Sequence, residues 1–328
     1  MLRSIFVKNW FFVGIAAMVL TAFYLPQVGL FVKTYKILNV AIFLGFLVTG
    51  LTLDTSSIVT QLKNVKVLLA ALISSLFLFP VIAYFLALLF FKAPPDIAVG
   101  ALIIGTAPAT VASGTVMTAI ALGNIPLSLF ICVLTSFASL LTIPLILSLL
   151  LQYTGTSVDL PAMQMLLGLS VKVLLPTVIG QLLRPRLKAA IAPYGKQISI
   201  FNQCIVLMIV LNAVSSSAEK ILASDVIIVW IFLLMIGLHL LILSINFTIS
   251  HLIRLDLPST AAFTIHTSQK TLTISYLLWA GHFYHSHPMA LIPPIAYHLT
   301  QSVVDTWIAH RFRSKVEQQS IGNRSENI

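Results

Sequence analysis

Apolar runs long enough to cross the hydrocarbon core of a bilayer, about 30 Å, recur from one end of this 328-residue chain to the other. Lipid offers no partner for a backbone N–H or C=O. A chain built this way must close its hydrogen bonds inside each segment as helices or between segments as a closed barrel. A barrel requires alternating apolar and polar residues, and these runs are continuous. With 59% hydrophobic and only 9% charged residues, the chain also lacks the surface charge of a soluble domain of its size. The reading is an all-α polytopic membrane protein.

About ten spans are expected, at 10–30, 36–53, 64–91, 97–121, 125–151, 161–183, 198–214, 225–251, 258–280 and 289–310. The formal charge of +10 does not mark a nucleic-acid partner, because the basic residues sit in loops between spans. With the N-terminus inside, the cytoplasmic segments carry Arg3, Lys8, Lys63, Lys66, Arg184, Arg186, Lys188, Lys196, Arg254, Arg311, Arg313, Lys315 and Arg324. The opposite loops carry only Lys33, Lys36, Lys92 and Lys220. This asymmetry places both termini in the cytoplasm of a plasma (inner) membrane protein and the loop near Asp159 outside. The first apolar segment shows no small-residue cleavage site and reads as a retained helix. Cys132 and Cys204 lie within spans, with neither a disulfide framework nor metal spacing, and no cofactor is expected.

Ten spans divide into a first repeat at 1–151, a second at 152–312 of opposite orientation, and a polar cytoplasmic tail at 313–328 expected to be mobile. Two segments in matching places are most interrupted by small and polar residues: IIGTAPATVASGTVMTAIALGN in the fourth span and AAFTIHTSQKTLTISYLLWAG in the ninth. Pro108 removes an amide proton and disfavours helix at Ala107, while Gly105, Ser113, Gly114 and Thr115 loosen the same stretch. Thr267, Ser268, Gln269, Lys270 and Thr271 do so in the ninth. A broken helix at membrane depth must face protein or a water-filled cavity, so the paired breaks mark the expected binding region. A single small or polar residue of this kind more often serves close helix packing. Two mirrored clusters favour a site.

The run VASGTVMTAIALGNIPLSL at 111–129, LRPRL after the sixth span and SQKTLT in the ninth resemble the bile acid:sodium symporter family. The resemblance covers nearly the whole chain and is nearest to the divergent SBF-like branch, bacterial symporters with a vertebrate relative, where Lys precedes Ser or Thr and Leu in the ninth helix. It implies a 5+5 inverted repeat, panel and core domains, and discontinuous helices 4 and 9 crossing in the core, with substrate entering between the domains. It also implies that the positions used for sodium in better-known members fall on Gly114, Thr115, Ser128, Cys132, Ile265, His266, Ser268 and Gln269, with Ser75 in the third span. The family's carboxylate near Ile265 is missing, no Asp or Glu occurs between Asp256 and Asp305, and Lys270 replaces an asparagine. These departures imply a badly weakened sodium site.

An ammonium in the middle of a span costs at least about 2.5 kcal/mol on insertion scales, so Lys270 is expected to line a cavity or meet a partner. It is read as standing where the cation would be. Asp305 and Lys172 are the other deep ionisable groups and the candidate charge partners. The expected substrate- or ion-binding set is therefore Ser113, Gly114, Thr115, Thr118, Ser128, His266, Thr267, Ser268, Gln269, Lys270 and Thr271. His266 has two readings, a satisfied core histidine or a proton carrier. The expected function is secondary transport of a small organic anion by alternating access, linked to H+ or to no ion more than to Na+. Two other classes remain: a membrane regulator that keeps the fold without transport, and an intramembrane hydrolase using Ser113 with His266, which lacks a GxSxG context.

Overall fold

The computed structural model describes residues 10–54, 61, 64–91, 95–153, 161–223 and 226–325. The topological markers Arg3, Lys8, Lys63, Lys92 and Asp159 lie outside them. The described residues are nearly all helical, with no strand. In chain order the helices are α1 (Trp10–Tyr24), α2 (Pro26–Thr34), α3 (Ile37–Thr52), α4 (Val65–Phe90), α5 (Asp96–Thr106), α6 (Val111–Ile120), α7 (Ile125–Tyr153), α8 (162–191), α9 (Gly195–Leu222), α10 (Ile227–Leu252), α11 (Leu257–Ser268), α12 (Leu272–Leu278) and α13 (Ile292–Ser325).

By length and composition, four helical stretches among the described residues can cross a membrane: Val65–Phe90, Ile125–Tyr153, Ala162–Leu222 and Ile227–Leu252. The third is more than one span long and is divided by a 3-10 turn at Ala192–Tyr194. The first expected span, 10–30, is bent: α1 and α2 meet at 97°, because Pro26 opens α2 and Leu25 before it leaves the helical region. The stretch 313–325 of the expected polar tail is helical. Helix α13 continues to Ser325, with an exposed Arg313–Glu317 pair one turn apart at 2.8 Å.

Among the described residues three helices widen into π turns, and two of these turns, Ile73–Leu78 in α4 and Ser170–Leu174 in α8, end two residues before a proline, Pro80 and Pro176, while the third, Trp279–Phe283, follows α12. A proline ring collides with the carbonyl four residues back, and a π turn relieves that collision by shifting the register by one.

Helix α3 packs against the 175–191 part of α8, and α9 against α1 and α2. The first contact is backbone to backbone: a Cβ on Gly50 would strike the Thr177 carbonyl, and one on Gly180 the Leu47 carbonyl. Around a second centre, α4 packs on α5, α10 on α11 and α13, and α7 on α6 and α11. Large apolar side chains such as Leu89, Leu141, Leu182 and Trp230 point outward, while His239, His266, Lys270 and Asp305 are fully buried. Such apolar-out, polar-in placement suits lipid as the surrounding solvent.

Candidate functional site

Helix α5 ends at Thr106 because Ala107 is extended (φ −62°, ψ 146°) ahead of Pro108, and α6 starts after an extended Thr110. The second break, Gln269 to Thr271, contains no proline and is opened by hydrogen bonds from outside the segment. Gln301 on α13 grips Lys270 twice, accepting from its amide at 2.8 Å and donating to its carbonyl at 2.9 Å. Tyr297 donates to the Ser268 carbonyl at 2.7 Å, and the Thr271 amide donates to the Pro108 carbonyl at 3.0 Å, joining the two breaks directly. The backbone groups freed by unwinding are thus paired, as buried polar groups must be.

Lys270 enters this crossing fully buried. Its ammonium donates to the Ser75 carbonyl at 2.5 Å, the Ser75 hydroxyl at 3.2 Å and the Ala107 carbonyl at 2.9 Å, and it stands 4.3 Å from the Phe79 ring centroid. Ser75 is available for a local reason. In the π turn the Phe79 amide bonds Ser74, and Pro80, next in line for Ser75, has no N–H. The lysine supplies the donor that the helix cannot. Three oxygen acceptors and an aromatic face satisfy the charge without a carboxylate.

Asp305 pairs instead with His239. Its Oδ1 lies 2.9 Å from His239 Nε2, and its Oδ2 accepts from Gln269 Nε2 at 2.7 Å. His239 Nδ1 is 2.7 Å from the Tyr297 hydroxyl. The other amide end of Gln269 accepts from Ser113 at 2.9 Å. Ser113 therefore bonds Gln269, not His266. His266 meets Ser128 at 2.5 Å, next to Thr118, whose hydroxyl lies 3.0 Å from Ser128 and 2.8 Å from the Gly114 carbonyl. Gly114 is required by this approach, since a Cβ there would fall 2.6 to 2.8 Å from the His266 ring.

Ser113, Gly114, Thr118, Ser128, His266, Ser268, Gln269, Lys270, Thr271 and Asp305 are thus brought together. Thr267 is buried with its hydroxyl unpaired, and Thr115 is half-buried on α6. Lys172 is not part of the cluster: it is exposed on the π turn of α8. Ser268 and Gln269 both bond protein partners, Ser268 Oγ donating to Thr264 and accepting from Asn246. No group of three His, Cys, Asp or Glu able to hold a metal occurs among the described residues.

Three functional candidates have no counterpart in the sequence reading: His239, Asn246 and Tyr297. Asn246, which also contacts Ser74, lies seven residues after His239, two turns along α10 and on the same face. That pair of polar residues at helical spacing inside an apolar span was the available signal.

A cavity of about 420 Å³ opens beside the crossing. Trp10, Phe11, Phe46 and Asn202 line one wall; Thr110 and Ser113 at the start of α6 and Thr271 at the start of α12 line the other, with His298. Among the described residues no Lys, Arg, Asp or Glu lines it, and Lys270 lies behind the wall and not on it.

Residues 9–314 match the family model described as the SBF-like CPA transporter family. The chain is 23% identical to the uncharacterized sodium-dependent transporter YocS of Bacillus subtilis, over 99% of this chain and 97% of the relative. It is 26% identical to the probable sodium/metabolite cotransporter BASS4, chloroplastic, of Arabidopsis thaliana, over 86% and 67%. To sodium/bile acid cotransporter 7 of Rattus norvegicus it is 24% identical, over 94% and 93%.

Proposed function

This chain belongs to the SBF-like CPA transporter family and is a multi-pass membrane transporter, not an enzyme; from that premise we propose that it carries a small organic anion by alternating access, with Lys270 in place of a sodium ion. The observation that carries the reading is the cavity wall. Two half-helices, α6 and α12, begin on it, so the positive ends of their dipoles face a space that no carboxylate lines among the described residues. The anionic end of the substrate sits there, against the hydroxyls of Ser113 and Thr271, and its apolar body lies on Trp10, Phe11 and Phe46.

Relatives named as sodium-dependent would use a cation at the crossing. Here a covalently attached ammonium occupies the carbonyl-rich position, and sodium is not required. The architecture proposed with this function is ten spans in two inverted repeats, 1–151 and 152–312, with both termini cytoplasmic in the inner membrane. It is supported by mirrored contacts: α1 and α2 on α9 answer α8 on α3, and α7 on α11 answers α13 on α5 and α6. The first set forms the panel and the second the core.

Uptake into proteoliposomes of a panel of amphipathic carboxylates, small carboxylates and sulfated compounds, with sodium replaced by choline, tests the reading. At least one anion should enter at the same rate in both salts. Uptake that stops in choline overturns the ammonium-for-sodium assignment. No uptake of any anion in either salt overturns transport of this class and favours a regulator that keeps the fold.

A further inference from the structure

Helices α3, α8 and α9 end or begin together, away from the crossing. Helix α3 stops at Thr52, α8 at Ile191, and α9 starts at Gly195 after the 3-10 turn at Ala192–Tyr194. The carbonyls left over at the end of α3 are answered from α8: Gln181 Nε2 donates to the Gly50 carbonyl at 2.5 Å and to that of Leu53 at 2.9 Å. One turn further along α8, Arg184 Nη2 lies 3.0 Å from Asp54 Oδ1.

A second cavity, of about 160 Å³, opens between these helix ends. Arg184 and Lys188 line it from α8, Leu51 and Thr52 from α3, and Ile191 and Gly195 from either side of the turn. No Asp or Glu lines it among the described residues. Arg184 and Lys188 stand four residues apart on one helix face, where like charges repel. Lys188 is exposed and has no ion pair among the described residues. The Arg184 side chain is only 16% exposed, and its Nε is buried with no hydrogen-bond partner among the described residues. An unused donor on a buried charged group is costly. The excess of basic residues on one side of a membrane protein explains why cations gather at such an edge. It does not explain a guanidinium turned into a cavity with one donor idle.

We infer that this cavity binds the phosphodiester headgroup of an anionic lipid, held by Arg184 and Lys188. A phosphate oxygen accepts from Arg184 Nε while Nη2 stays on Asp54, and the Lys188 ammonium closes on the same group as a point charge. Two cations and the single Asp54 carboxylate leave one positive charge, which matches a singly charged phosphodiester. The volume suits a headgroup, since sites that enclose a whole small solute run to about 300–1,000 Å³. A free phosphate would have no use for the apolar surroundings. Leu51 and Ile191 line the cavity, and Leu182, Leu187 and Tyr194 are exposed on the same stretch, as befits a site where acyl chains meet headgroups. The lining comes from both α3 and α8, so an occupant braces that contact. This holds whatever solute the protein carries.

Purified protein in neutral detergent is titrated with phosphatidylglycerol, with phosphatidylcholine and with inorganic phosphate, and thermal melting is followed in each. Phosphatidylglycerol should raise the melting temperature with the logarithm of its concentration, and the other two should not. Lys188→Glu changes an exposed side chain and should weaken the apparent phosphatidylglycerol affinity roughly thirtyfold. Arg184→Lys keeps a cation beside Asp54 but has no Nε donor, and it too should weaken binding. Arg186→Glu makes the same change in net charge two residues away, outside the lining, and should bind as wild type does.

Equal stabilisation by inorganic phosphate overturns the lipid as the source of the group, and equal stabilisation by phosphatidylcholine overturns recognition of its charge. A loss in Arg186→Glu as large as that in Lys188→Glu overturns the cavity in favour of a diffuse basic surface. No stabilisation by any of the three overturns the site and leaves the transport reading untouched.

Discussion

Lys270 and Gly114 hold the crossing of the two broken helices as single residues. The ammonium of Lys270 fills a cage of carbonyl and hydroxyl oxygens closed by a ring, so removing it leaves the Ser75 and Ala107 carbonyls buried without a donor. Each such loss costs about 1–3 kcal/mol. Lys270→Ala should therefore lower the apparent melting temperature and abolish anion uptake while the protein still reaches the membrane. Normal uptake in that variant, measured beside surface expression, would remove the lysine from the mechanism. Gly114 acts through space. A leucine there drives into the His266 ring, and overpacking of this kind costs about 1–3 kcal/mol. Gly114→Leu should lose thermal stabilisation by any transported anion while folded protein remains in the membrane; undiminished stabilisation would move the site away from the crossing. The sequence reading reached both residues because a charged residue and a glycine within an apolar span are conspicuous wherever the chain folds. For Asp305 it offered only the lysines Lys172 and Lys270 as candidate charge partners, since charge is visible in a sequence and the position of the His239 imidazole is not.

At the scale of elements, the two breaks have different origins. The first is local: Pro108 enforces it from within. The second is imposed by α13, through Gln301 and Tyr297, and would close into continuous helix without them. Gln301→Leu strips both partners from Lys270's backbone and should cost about 2–6 kcal/mol, two unsatisfied buried groups, unless the segment rewinds. Thermal melting and amide hydrogen exchange at residues 269–271 distinguish these outcomes from no effect, and a variant with wild-type melting and exchange would show that the break is intrinsic. Pro80 belongs to the same logic. Pro80→Ala restores an N–H that competes with Lys270 for the Ser75 carbonyl, so uptake should fall while the melting temperature holds or rises. Uptake equal to wild type would show that the π turn does not govern the lysine's seat.

At the scale of the whole molecule, the prediction is topological. Reporters placed after Ser325 and within 184–196 should both read cytoplasmic, and one near Asp159 external; a cytoplasmic signal at Asp159 would break the inverted repeat. The chain by itself determined that this is a helical membrane protein, where its apolar runs lie and that proline interrupts the stretch around Pro108, because the bilayer acts on each segment separately and its demands are written in that segment's own residues. Tertiary structure decided which polar groups meet. His239 and Asp305 are sixty-six residues apart, Ser75 and Lys270 one hundred and ninety-five, and Ser113 and Gln269 one hundred and fifty-six. A hydrogen bond is won or lost over a few tenths of an ångström, and only the packing of α4, α6, α10 and α13 around the crossing fixes distances that finely. The sequence announced a lysine in the membrane; the fold decided that it faces carbonyls and not an aspartate, and set the aspartate against a histidine instead.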